Sequence, residues 1–195
     1  MPVFSLSDRI DHLEADLKAT PPRISVYHDL PFAILRYDPD EEWELRKQLK
    51  LLATRLRDAG KEVETISLAE LFWRAIDESE GVQAVVELER ERGFEAAQEQ
   101  VSVYLSDKDW KPLPNLLTDR LRSLDPRKHV AFLVRAGALA PASYHVSKLL
   151  DEMKGKTMVT TVLFYPGGIE GTHALRFVNL PDREAMGNYR VKIYT

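Results

Sequence analysis

Asp38-Pro39-Asp40-Glu41-Glu42 places four carboxylates directly after the apolar run FAILRY, Phe32 to Tyr37. Carboxylates just past a buried strand are a common way for α/β proteins to hold Mg²⁺, so Asp38, Asp40 and Glu42 are candidate ligands for a divalent metal, or partners in an ion pair. The same residues fit a structural role. Asp38 can cap a helix, Pro39 suits its first position, and Glu41 completes a capping box at the positive end of the helix dipole. Arg135 is the second candidate, because it ends the most apolar run, His129 to Ala136, and precedes Gly137. An arginine at a strand end needs partners. The acids of residues 38–44 could supply them if the two strands are neighbours; otherwise the guanidinium could grip an anionic ligand.

Two glycine-containing stretches raise the question of phosphate binding. Gly155-Lys156-Thr157 has the end of a Walker A loop, but that loop needs a glycine five positions earlier, where Leu150 stands, and a helix after the lysine, where a strand-like run follows. Pro166-Gly167-Gly168 interrupts the apolar run that begins at Thr160, and Ala174 to Asn179 then reads as another strand. No helix follows to direct amides at an anion, so a corner or bulged hairpin fits this segment better. Its expected consequence is that Tyr165, Pro166 and Gly167 are presented at the rim beside Arg135 and Gly137. His12, His28, His129, His145 and His173 show no metal-ligand spacing, and no serine stands in a nucleophile elbow. No residue set reads as catalytic, and no cofactor is implied.

The elements that must position these residues follow from periodicity. Leu6, Ile10, Leu13 and Leu17 recur at helical spacing before Pro21-Pro22, and Leu45, Leu49, Leu52 and Leu56 mark a second helix that ends at Gly60. Residues 61–67 alternate like a strand, with Ser67 and Glu70 as a further capping box. From about residue 68 to 128 no strand is evident, and the excursion reads as several helices. Its surplus of apolar residues, among them Trp73, Val82 and Phe94, could meet a partner, and Trp110 in a Pro-flanked loop has the character of an interface anchor. Residues 129–136 are the best candidate for the central strand. Together these readings predict a single α/β domain over residues 1–195. It is Rossmann-like and three-layered, with about six strands, mostly parallel with antiparallel C-terminal strands, and a long helical insertion between the second and third strands.

Composition narrows the classes. With 44% hydrophobic and 30% charged residues among 195, the chain belongs with globular rather than disordered proteins. The absence of cysteine removes disulfides and thiolate chemistry and suits a cytoplasmic setting. No apolar run approaches a membrane span, so no membrane role is expected. The net charge of −4 hides a mildly basic C-terminal segment, in which Arg176, Arg183, Arg190 and Lys192 could contact DNA. That density is low for a nucleic-acid binder.

Three stretches, FLVRAGALAP (Phe132 to Pro141), VLFYPGGIEG (Val162 to Gly171) and NYRVKIY (Asn188 to Tyr194), resemble the BrxB family of BREX phage-exclusion systems. The resemblance implies an accessory protein of a bacterial antiviral locus, working beside the alkaline-phosphatase-like protein PglZ, a DNA methyltransferase and a large ATPase. It implies contact with DNA only through the complex, and it carries over no catalytic residue. The function expected is therefore a non-enzymatic scaffold that binds other BREX proteins, with PglZ as the foremost partner. The alternative is a divalent-metal phosphoesterase or nuclease built on Asp38, Asp40 and Glu42.

Overall fold

Reciprocal capping begins the first helix: the Asp8 N–H donates to Ser5 Oγ at 3.2 Å and the Ser5 N–H donates to the Asp8 carboxylate at 3.0 Å. In the computed structural model, which describes residues 4–24, 29–140, 144–170, 174–178 and 189–195, this box opens α1 (Leu6–Lys18). Its stripe of Leu6, Ile10, Leu13 and Leu17 is buried, as the spacing requires. Next come β1 (Phe32–Tyr37), a 3₁₀ turn at Pro39–Glu41, α2 (Glu42–Asp58) and β2 (Glu62–Ser67). Four helices follow without an intervening strand: α3 (Leu68–Asp77), α4 (Gly81–Arg92), α5 (Phe94–Ser106) and α6 (Leu113–Arg122). The chain then forms β3 (His129–Val134), a 3₁₀ turn at Ala136–Leu139, α7 (Val146–Met153), β4 (Thr160–Glu170), β5 (Ala174–Phe177) and β6 (Lys192–Tyr194).

Five strands run parallel in the order β2-β3-β4-β1-β6, and β5 pairs antiparallel with the far end of β4. Alternation along the strands divides the apolar side chains between two faces. Phe32, Ile34, Leu133, Leu163 and Tyr165 pack under α3, α5, α6 and α7. Ala33, Leu35, Phe132, Val162 and Phe164 lie under α1 and α2, with Phe132 and Phe164 edge to face at 5.2 Å. Helices therefore lie on both sides of the sheet, and β1, β3 and β4 read as continuous apolar runs because their faces are largely covered, whereas the edge strand β2 leaves Glu62 and Thr65 exposed.

Four expectations change. The centre of the sheet is β4 rather than β3, because β4 is flanked by β3 on one side and β1 on the other. The strand does not break at Pro166-Gly167-Gly168: β4 runs on through them. Pro166 lies opposite Tyr37, the last residue of β1, so its missing N–H falls where the parallel ladder ends, while its carbonyl accepts the Val178 N–H at 2.9 Å. Of the C-terminal strands only β5 is antiparallel; β6 lies parallel to β1. The strand order also differs from that of the dinucleotide-binding folds. The Pro181-Asp182-Arg183 connection lies outside the described residues.

Two polar clusters tie α1 to the sheet. Arg9, only 3% exposed, donates from Nη1 to the Arg36 carbonyl at 2.6 Å and from Nε to the Ser5 carbonyl at 3.2 Å, and its Nη2 pairs with Glu41 at 3.2 Å. Glu41 also accepts the Asp38 N–H at 3.0 Å, so one guanidinium holds α1, β1 and the turn into α2 together. At the other end of α1, the Asp16 carboxylate accepts from the Tyr194 hydroxyl at 2.7 Å, from Lys192, and from Arg23 at 3.4 Å. Partial burial pulls the Asp16 acid upward, but the hydrogen bonds from Lys192 and Tyr194 outweigh it and hold the group below the usual carboxylate value.

A Cβ at Gly167 would lie 2.0 Å from the Arg176 carbonyl oxygen, a backbone atom that cannot yield, whereas one at Gly137 would meet nothing closer than Pro166 Cγ at 3.9 Å. Gly167→Ala is expected to cost about 2–4 kcal/mol in urea unfolding while Gly137→Ala stays within about 0.5 kcal/mol. Arg9→Met should cost roughly 2–4 kcal/mol, because two carbonyls and Glu41 lose their shared donor, and Arg9→Lys should recover less than half of it since one ammonium cannot reach three separated acceptors. The Asp16 contribution is present above the ordinary carboxylate pKa of about 4 and disappears as pH falls through the depressed folded value. Melting curves should therefore show wild type losing its advantage over Asp16→Asn between about pH 4 and pH 2.

Candidate functional site

Three strands finish side by side at one rim, and the chain leaves them in different directions. β1 turns through the Pro39–Glu41 turn onto α2 on one face, β3 turns through Ala136–Leu139 toward α7 on the other, and β4 continues straight on to pair with β5. Diverging connections open a crevice outside the carboxyl ends of parallel strands, where open α/β sheets hold ligands. Here the crevice is a cleft of about 370 Å³ bordered by Tyr37, Glu42 and Arg46 on one side, Arg135 and Gly137 on the other, and Pro166 between.

Capping explains the acidic side of this cleft. Asp38 accepts the Asp40 N–H at 3.2 Å, and Glu41 closes the box on the Asp38 backbone. Glu42 accepts from the Tyr37 hydroxyl and pairs with Arg46 at 2.8 Å. Burial first, then the bond to Glu42, pushes the Tyr37 hydroxyl far above its ordinary pKa, so it stays a neutral donor. Asp40 is exposed. Among the described residues no three His, Asp or Glu side chains gather as a metal-holding group.

The basic side behaves oppositely. Arg135 sits in the left-handed region, φ 60° and ψ 37°, a conformation that costs about 1–2 kcal/mol outside glycine. Its side chain is exposed and, among the described residues, forms no ion pair or hydrogen bond. The expected pairing with the acids of residues 38–44 is not made: Arg9 takes Glu41 and Arg46 takes Glu42. Sequence spacing favours Arg135 for these acids because it considers strand ends alone, whereas α1, packed on the same face as α2, brings the Arg9 guanidinium to Glu41.

Of the residues expected to be presented to a partner, Arg135, Gly137 and Pro166 converge on the cleft, Arg135 exposed, Gly137 half-buried and Pro166 buried. Tyr165 does not, being 2% exposed with its ring against Phe177 at 5.2 Å. Its neighbour Pro166 faces the other way because β4 stays extended. Gly167 is buried and structural, its carbonyl accepting from Arg36 Nη1 at 3.3 Å. Trp110 is partly buried against the core and edge-on to Tyr104 at 5.2 Å. The exposed tryptophans are Trp43, at 72%, and Trp73. Trp43 lies on α2 beside the rim with the Arg46 guanidinium 4.7 Å from its ring centre. The signal for it was present in the sequence, since Trp43 falls off the stripe of Leu45, Leu49, Leu52 and Leu56.

The remaining candidates have local explanations. Gly155 closes α7, donating its N–H to the Asp29 carbonyl at 2.8 Å. His129 Nδ1 accepts the Asp125 N–H at 3.1 Å and Nε2 faces Glu62 at 3.2 Å; His12 packs edge-on to Phe4. Lys192 is committed to Asp16, Arg190 borders a small cleft with Asp29 and Asp151, and Arg176 lies on β5, so these cations form no continuous stripe. Arg183, His28 and His173 lie outside the described residues. Among the described residues no helix is long and apolar enough to cross a membrane.

Searches of curated proteins and of solved structures return no match. A family model described as BREX protein BrxB matches residues 64–193, a span that takes in Arg135, Gly137 and Pro166. With about two thirds of its length matched, the chain belongs to the BrxB family and is a component of BREX antiviral defence.

Proposed function

We propose that the chain is a non-enzymatic adaptor of the BREX complex, and that the rim formed by Arg135, Gly137 and Pro166 holds another BREX protein, with PglZ the foremost candidate. One observation carries this reading: Arg135 is held in a costly backbone conformation with an exposed guanidinium that no described residue engages. A positive donor of this kind at the mouth of a cleft suits a carboxylate on a partner surface, which a guanidinium can bind through two parallel hydrogen bonds. The chemistry of the other side points the same way, because Asp38, Glu41 and Glu42 spend their oxygens on a cap, on Arg9 and on Arg46. Carboxylates so engaged hold the fold, which favours the adaptor over the metal-dependent phosphoesterase or nuclease.

Co-expression with PglZ followed by gel filtration at micromolar concentration tests this. The two proteins should elute together, and Arg135→Glu should weaken the association at least about tenfold, as expected for removing a desolvated charged contact and adding repulsion. Separate elution of the wild-type pair would refute the assignment of PglZ.

A further inference from the structure

Beside the rim lies a larger groove of about 580 Å³ that shares Tyr37, Glu42, Arg46 and Arg135 with the rim cleft. Its origin is topological. α2 starts from the end of β1 and must deliver the chain to β2, which lies beyond β4 and β3 in the sheet. One helix therefore crosses the sheet obliquely, and at the carboxyl ends of β2 and β3 on that face Thr65 is exposed and Val134 only half-buried. Val134 and Ala53, both half-buried, and exposed Thr65 form the groove's accessible apolar lining, with the buried Phe164 and Leu49 packed behind them. Arg46, Lys47, Lys50 and Arg135 stand around this trough against one lining carboxylate, Glu42, which Arg46 engages, while Lys47 reaches Glu44 at 3.5 Å; Lys50 and Arg135 are left to face the trough. The chain as a whole carries a charge of −4, so this concentration of cations runs against its own balance.

We infer that this groove cradles an acidic amphipathic helix of another BREX protein. The charge complementarity selects the occupant: an apolar stripe of three or four side chains seats on half-buried Val134 and Ala53 and on the Trp43 ring, while flanking Asp and Glu meet Lys50 and Arg135. Trp43, exposed at the end of the groove, is an anchor of the type that interfaces favour. The inference rests on the adaptor reading above and deepens it by naming the chemistry of what is held.

The experiment is site-specific photo-crosslinking in cells carrying the complete defence locus, with Thr65→p-benzoylphenylalanine in the groove and Ala138→p-benzoylphenylalanine at the rim in parallel. Ala53→p-benzoylphenylalanine, on the facing wall, serves if the Thr65 variant does not fold. The expected result is a crosslink from the groove to a peptide of another BREX protein that bears acids flanking apolar residues three and four apart, reduced at least about fivefold when Lys50→Glu is added. A crosslink to nucleic acid, to a second copy of this chain or to a basic segment, or no crosslink from the groove, would overturn the inference. A crosslink from the rim without one from the groove would sink this inference and leave the adaptor reading standing; the converse would move the contact from rim to groove.

Discussion

Everything at the working end of this molecule descends from one constraint: the first strand lies inside the sheet, the second lies at its edge, and a single helix must connect them. α2 pays for that span by running across two strands rather than along one, and it needs a firm origin to do so. Arg9 provides it. By binding the Arg36 carbonyl and Glu41 from a third element, the buried guanidinium fixes where β1 stops and at what angle the helix departs. Such an ion pair contributes less through Coulomb attraction than through the cost of leaving its acceptors unpaired, so its chief effect is to specify one geometry.

The rim shows the same division between charges used internally and charges left facing outward. Asp38, Glu41 and Glu42 after β1 are consumed by the cap and by arginines within reach, and the tyrosine hydroxyl beside them is locked as a donor. Among the cations of α2 and the end of β3, Arg46, Lys47 and Arg55 pair with Glu42, Glu44 and Glu14, whereas Lys50 and Arg135 are left facing outward. The groove beside the rim is accordingly lined by four cations against the single carboxylate of Glu42.

Local signals made much of the fold legible. The capping residues Asp38, Glu41 and Ser67, the leucine stripe of α2 and the helical excursion all follow from spacing, because each involves neighbours within a turn or two. The strand order was not legible: apolarity singles out residues 129–134, yet position within a sheet depends on crossovers that no local pattern records. The site suffered in the same way. Arg135, Gly137 and Pro166 were recognisable as strand-end residues, but the inward turn of Tyr165 depended on β4 continuing through its prolyl and glycyl residues, and the partner of Glu41 came from a helix some thirty residues upstream. Trp43 and Lys50 were hidden for a different reason: they are ordinary outward positions on a helix until the groove beside them is found.

β2 has a further consequence. It borders the sheet with β3 on one side only among the described strands, and it carries Glu62 and Glu64, the first facing His129 and the second held by Arg120 of α6. An extended chain that tried to lengthen the sheet there would have to strip water from two carboxylates, so copies of the protein can accumulate without stitching edge to edge.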